Sequence, residues 1–337
     1  MPSAAIYDCE GPRLSADERA FFRDADPWGF ILFARHCESP DAVRAHCGEL
    51  REAVGRADAP ILIDQEGGRV ARLASPHWRE HQPMAVFGRL WRLDPARARA
   101  AARLNAWLLG RMVSDLGVTV DCIPLLDVPQ PDAHEIIGDR ALATHPDQIA
   151  ALGRSVMEGL TAGGAQPVIK HVPGHGRALA DSHEALPRVV AGKDDLRAVD
   201  FAPFRALKDA PMAMTAHVIY EAYDSDHPAT TSQTVISEVI RGEIGFDGLL
   251  MSDDLKMKAL AGPVGARARD AIAAGCDIAL CCNFSLEEKI EAAKNTPELE
   301  GHAHMRAAAA LGGAPREERD PDAAYEELSR LLKPALV

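Results

Sequence analysis

The stretch Pro167-Val168-Ile169-Lys170-His171-Val172-Pro173-Gly174-His175-Gly176-Arg177 begins as an apolar run and ends as a polar loop. Val168 and Ile169 read as a short buried strand that Pro173, Gly174 and Gly176 stop, so Lys170, His171 and His175 emerge where strand gives way to loop. The polar character continues through Asp181-Ser182-His183. A second stretch, Gly248-Leu249-Leu250-Met251-Ser252-Asp253-Asp254-Leu255, repeats the arrangement: an apolar strand that ends by delivering carboxylates. Two such strands predict one shared face carrying the chemistry.

Working outward, apolar strands are expected at 28–33, 60–64, 118–123, 168–170, 212–217, 249–252 and 277–280. Helices are expected between them at 41–54, 95–116, 147–162, 196–207, 234–241 and 265–274. Ser39 is a natural cap for the first helix, and Pro40 suits its first turn. Strands that are apolar throughout, alternating with helices, specify a parallel sheet covered by helices. About seven or eight such units in one chain match a (β/α)8 barrel. No GxGxxG follows the first expected strand and no GxxxxGK[ST] occurs, which removes the main support for a nucleotide-binding open sheet. Polar groups follow several different strands: Asp64, Lys170 with His171, His217 and Asp253. A barrel gathers those positions at one mouth. The expected architecture is therefore α/β, a TIM-like (β/α)8 barrel forming a single domain over 1–337, with the tail from 286 to 332 as helices packed outside it.

The 337 residues carry a formal net charge of −13, which argues against nucleic-acid or anionic-membrane partners, both of which select basic patches. No basic-then-apolar leader opens the chain and no stretch is long and apolar enough to span a bilayer, so a cytoplasmic location is expected. Seven scattered cysteines without a CxxC pair suggest neither a disulfide framework nor a zinc ribbon. Adjacent Cys281 and Cys282 invite a metal or redox reading, but neighbouring strand residues point to opposite faces. His171 and His175 have the spacing of a helical zinc site, but Pro173 and Gly174 between them exclude that helix. Neither a metal nor a cofactor is expected, and the chain is expected to act as a monomer on a small molecule.

Several of these residues also have plainer readings. Ser252-Asp253-Asp254 before a helical run is a capping signal, and Asp64 before Gly67-Gly68 is a good turn-former. His175 between two glycines braces the loop, and His217 is either pocket wall or satisfied core. What lifts Asp253 above the capping reading is the company of the histidine-rich loop with Asp64, Arg72 and Arg140.

Lys170-His171-Val172-Pro173-Gly174-His175-Gly176 followed by Asp181-Ser182-His183 resembles the KH[FV]PGHG…DSH signature of bacterial β-N-acetylglucosaminidases of glycoside hydrolase family three. The segment from Val239 to Asp253 resembles the nucleophile signature of that family. Asp64-Gln65-Glu66-Gly67-Gly68-Arg69-Val70-Ala71-Arg72 and Gly138-Asp139-Arg140 match two further stretches. The likeness runs from about 25 to 285; Lys256 departs from it, where the family more often has a small residue.

The resemblance implies that Asp253 is the nucleophile of a retaining double displacement, with Asp254 in a supporting position. It implies that His183, oriented by Asp181, is the acid and base. Imidazole, with a pKa of about 6.5, can give and retake a proton near neutrality without the burial a carboxylic acid would need. Asp64, Arg72, Arg140, Lys170 and His171 are implied to hold the sugar. The expected activity is exo-hydrolysis of terminal non-reducing β-linked N-acetylglucosamine from GlcNAc-anhydromuramyl peptides, in peptidoglycan recycling. The family's larger members carry a further domain with a carboxylate acid/base, which this chain is expected to lack. Rival readings are a β-glucosidase or β-xylosidase on the same barrel and a non-catalytic GlcNAc-sensing barrel.

Overall fold

A computed structural model describes residues 1–131, 134–180, 182, 185–312 and 316–336. Eight parallel strands form its centre: β1 (Ser3–Tyr7), β2 (Pro27–Leu32), β3 (Ile61–Ile63), β4 (Val120–Asp121), β5 (Gln166–Val172), β6 (Met212–Thr215), β7 (Leu249–Met251) and β8 (Ala279–Cys281). From β1 to β7 each pairs with its neighbours in chain order, and β8 returns to β1 with Ala5 opposite Ala279. Between β7 and β8 the ring closes through a bridge from Met251 to Ile278 and a bond from Ser252 N–H to the Ile278 carbonyl at 3.0 Å. This is the expected eight-stranded barrel, alternating with helices.

The strands lack a polar face because both their faces are buried. Ile6, Ile31, Leu62, Val120, Val168, Met212, Met214, Leu249 and Leu280 pack inside the barrel. Their alternating neighbours, such as Tyr7, Phe30, Ile63, Ile169 and Leu250, pack outward against the helices. Cys281 and Cys282 fall into different clusters, as strand alternation requires, and all seven cysteines are free and buried. The helix Gly301–Ala310 sends Ala307 and Ala310 into the interior cluster beside Ala4 and Trp28, stopping the amino-terminal end of the barrel. The helix Pro321–Leu332 packs against the long helix Pro95–Ser114.

Several elements went unread in the sequence, among them the helix Ala85–Trp91, the paired strands Arg188–Val189 and Ile219–Tyr220, and the first strand and helix of the chain. β1 is Ser-Ala-Ala-Ile-Tyr, whose small residues carry little β propensity. The helix α1 (Ala16–Ala25) was signalled, because Ser15 and Glu18 form a full capping box. Glu18 also bonds Lys289 at 2.8 Å, a buried pair that ties α1 to the helix Leu286–Ala293 and so joins the first and last layers of the outer ring. Ser39 does cap the helix Pro40–Val54, accepting from Ala42 N–H at 3.2 Å. Strand β4 is shorter than the expected 118–123. The Thr119 hydroxyl, rather than a backbone carbonyl, takes the Ile61 N–H at 3.0 Å. The helix expected at 196–207 is broken into Leu196–Asp200, with π-type winding, and Ala202–Ala206, and Val235–Ile244 is likewise π-wound.

Candidate active site

The carboxyl ends of the strands surround a cavity of about 270 Å³, close to the lower end of small-molecule sites, about 300 Å³. Asp64 follows β3, Lys170 and His171 end β5, and Asp253 follows β7; together with Arg72 and Arg140 from intervening loops, all six line the cavity. The pairing of β5 with β6 shifts register between Lys170 and Val172. Such a bulge re-aims side chains, and two successive residues reach the same cavity.

One wall is a continuous ionic network. Lys170 Nζ lies 2.9 Å from Asp64 Oδ1 and 2.8 Å from Glu66 Oε1. Arg140 grips Glu66 through Nε and Nη2, both at 2.8 Å, and gives Nη1 to the Ile136 carbonyl at 3.2 Å. Arg72 reaches Asp64 Oδ2 at 3.2 Å. Burial alone would push Asp64 and Glu66 up, but Lys170 with Arg72 or Arg140 outweighs it and holds both carboxyls below their ordinary range. The same carboxylates overcome burial at Lys170 and hold its ammonium protonated. Most donors of Arg140 are taken by protein groups, so what it offers a ligand is limited to the remaining N–H bonds.

Across the cavity stands Asp253, whose Oδ1 accepts the Asp254 N–H at 2.8 Å. Burial works against its charge, yet His171, His217 and Lys170 keep it below the usual carboxylate range. A half-buried carboxylate held ionised and open to a cavity is what a nucleophile needs. Asp254 lines the same cavity with the opposite bias: burial first, then the charges of Asp253 and Asp8, push it up to about 7. His217 is fully buried, with Nδ1 2.7 Å from Thr230 Oγ1 and Nε2 donating to the Asp254 carbonyl at 3.0 Å, so it is satisfied core and sits behind the cavity. His175 both braces and lines. Its Nε2 is 3.2 Å from Ser182 Oγ, its ring meets that of His171 edge to face at 5.8 Å, and burial with His171 pushes it down to about 4. Asp181 and His183 lie outside the described residues; Ser182 between them lines the cavity.

Sequence reasoning passed over Glu66, Asp127, Arg69 and Phe33. Glu66 stood in a quoted motif without a role, although it anchors two of the expected binding cations. Asp127 accepts from His171 Nδ1 at 2.8 Å and signalled itself only as a polar residue just after an apolar run. Arg69 fastens the 135–139 loop over the cavity through Asp139 at 3.1 Å and the carbonyls of Glu135 and Ile136. Phe33 lies under the guanidinium groups of Arg35 and Arg72, 5.0 and 5.4 Å from its ring centre, and lines the cavity. Among the described residues no cluster of His, Cys, Asp or Glu could hold a metal ion, and no helix is long and apolar enough to cross a membrane.

Residues 6–308 match the glycosyl hydrolase family 3 N terminal domain. The chain is 41% identical over 278 residues to a beta-hexosaminidase of Alkalilimnicola ehrlichii, covering 81% of this chain and 79% of that one. It is 36% identical over 286 residues to a beta-hexosaminidase of Pseudomonas aeruginosa, with 84% and 83% covered. Among solved structures it is similar to NagZ from Neisseria gonorrhoeae in complex with N-trifluoroacetyl-D-glucosamine, with a TM-score of 0.89, 29% identity and 99% of each chain covered.

Proposed function

Since the chain belongs to glycosyl hydrolase family 3 and is a glycoside hydrolase of the β-hexosaminidase kind, we propose that it removes terminal non-reducing β-linked N-acetylglucosamine with retention, through a covalent glycosyl-enzyme. The natural substrates in this reading are GlcNAc-anhydromuramyl peptides in the cytoplasm, and the role is peptidoglycan recycling. The observation that carries it is Asp253: a half-buried carboxylate held below the usual carboxylate range by the His171, His217 and Lys170 side chains, facing a cavity whose opposite wall is lined with charged donors and acceptors.

In the first step Asp253 attacks the anomeric carbon as the aglycone oxygen leaves with a proton. In the second, water attacks the same carbon and releases Asp253, so the β configuration is restored. His183, oriented by Asp181, is the proposed acid and then base; by taking up the proton of the attacking water it returns to its starting state. Asp64, Arg72, Arg140, Lys170 and His171 are the proposed sugar contacts. The ionic network has an advantage here. Its donors and acceptors are already fixed by one another, so little ordering is left for binding to do.

The test is the initial rate on an aryl β-N-acetylglucosaminide against the matched aryl β-glucoside, with the first-formed anomer followed by NMR. Preference for the acetamido sugar with β product first is expected. Preference for the glucoside would overturn the substrate, α product would overturn retention, and no turnover of either would favour a sugar sensor. His183→Ala should slow substrates with poor leaving groups far more than activated aryl glycosides, because only the former need a proton; equal losses would remove His183 from the acid role.

A further inference from the structure

His171 is held by a residue that the proposed reading leaves without a part. Asp127 follows β4, is fully buried, and accepts three hydrogen bonds: from His171 Nδ1 to Oδ2 at 2.8 Å, and from the His171 and His175 backbone N–H groups to Oδ1 at 3.2 and 2.6 Å. The segment around it is zipped to the histidine loop. Leu126 N–H donates to the Lys170 carbonyl at 2.7 Å and Gln130 N–H to the Gly176 carbonyl at 3.1 Å. Gly176 lies so close to Val128 that a Cβ there would come within 2.1 Å of the Val128 carbonyl oxygen. Any other residue would prise the loop from the Asp127 segment.

The charge state of Asp127 is settled by its surroundings. Burial opposes ionisation, but the His171 and His175 imidazoles and the backbone donors outweigh it and hold Asp127 down at about 2. An ionised carboxylate can only accept, so Nδ1 of His171 must carry the proton. Nε2 is then the nitrogen left for the cavity that the ring lines, and it has no partner among the described residues. His171 and Asp253 line the same cavity, and the His171 ring is the first of the side chains whose influence offsets burial at Asp253.

We propose that Asp127 is a positioning residue for the reaction: by fixing the tautomer and orientation of His171 it presents Nε2 to the sugar bound against Asp253. Through the His175 N–H the same carboxylate also fixes the backbone of the histidine loop at His175. This rests on the reading of Asp253 as the nucleophile of a glycosidase. Asp127 need touch neither substrate nor water; its action passes through the imidazole, as in carboxylate–histidine pairs that orient a ligating or catalytic ring.

The test uses the full chain labelled with ¹⁵N-histidine. In the wild type the His171 ring should carry its proton on Nδ1; a ring protonated on Nε2 alone would overturn the proposal whatever any variant does. In Asp127→Asn the amide N–H can donate to Nδ1, which moves the proton to Nε2. The expected result is that switch together with a fall in kcat/KM on the aryl N-acetylglucosaminide on the order of 10–100-fold. The acid limb of the pH–rate profile should also move, because the ring that faces Asp253 then carries its proton on the other nitrogen. A structural role alone would lower the amplitude and leave the limb where it was. In a His171→Gln background Asp127→Asn should cost almost nothing further, and an additive loss would count against the pairing. A wild type that keeps the Nδ1 proton but turns over no glycoside would overturn the glycosidase reading while upholding the pair.

Discussion

The two sides of the cavity treat their carboxylates in opposite ways. On the β3–β5 side, Asp64 and Glu66 are matched by Lys170, Arg72 and Arg140, and both are held ionised. On the β7–β8 side, Asp253 and Asp254 are adjacent and share few cations. Asp253 is held down by histidines and the more distant Lys170, while Asp254 is pushed up to about 7. The nearest lysine in the chain, Lys256, is committed to Glu288, and Arg35 to Asp8. A neutral sugar calls for fixed donors and acceptors on one side and a single reactive charge on the other, and the ion pairing provides that division.

The hardest break in this asymmetry is to remove the reactive charge. Asp253→Ala should reduce turnover by on the order of 10⁴-fold or more, measured as kcat on the aryl N-acetylglucosaminide, while leaving binding of a GlcNAc-derived inhibitor within a few-fold by calorimetry. Retention of a tenth of the activity would refute Asp253 as nucleophile. Breaking the paired side should act differently. Glu66→Gln keeps the shape but leaves Lys170 and Arg140 short of a counter-charge, and should destabilise the fold by about 3 kcal/mol in urea titration. The sign with pH follows from the depressed carboxyl. Its stabilisation is fully present above the unfolded value of 4.5 and is lost as pH falls through the lower folded value. The gap between wild type and variant should therefore be widest above about pH 5 and close on acidification; a gap that widens in acid would contradict the network. Activity should suffer mainly in KM.

The contrast between the two sides also explains what the sequence revealed. Asp64, Lys170 and Asp253 announce themselves because they fall together at the ends of apolar strands beside a histidine-rich loop, company that a cap or a turn does not need. Glu66 does not, since a glutamate beside Gly67-Gly68 looks like any solvated turn, and only the fold brings Arg140 and Lys170 against it across 74 and 104 positions of chain. Asp127 is harder still, because its partner is 44 residues away and its acceptor role depends on the bulge after Lys170. The barrel was legible because seven of its strands are apolar runs between periodic helices. β1 was not, because Ser3, Ala4 and Ala5 are buried by their neighbours rather than by their own hydrophobicity.

The finest test of the asymmetry is Asp254, which shares a backbone with the proposed nucleophile but not its bias. Its Oδ1 accepts the Lys256 N–H at 2.8 Å, which favours the charged form, but burial and the neighbouring charges of Asp253 and Asp8 prevail. A carboxyl raised in the fold costs stability once it must ionise. That cost starts at the unfolded value of 3.8, grows as pH rises to about 7, and is constant above it. Asp254→Asn has the same shape and never ionises, so it should melt with the wild type near pH 4 and progressively above it up to pH 7, by a few degrees at pH 8. Calorimetric scans across that range decide the matter. A gain that follows this curve would mean that the β7–β8 side tolerates one negative charge and resists a second, which leaves Asp253 as the carboxylate ionised at neutral pH. A flat curve would mean that Asp254 ionises in the fold as readily as in the unfolded chain, and the contrast with Asp64 and Glu66 would then rest on pairing alone.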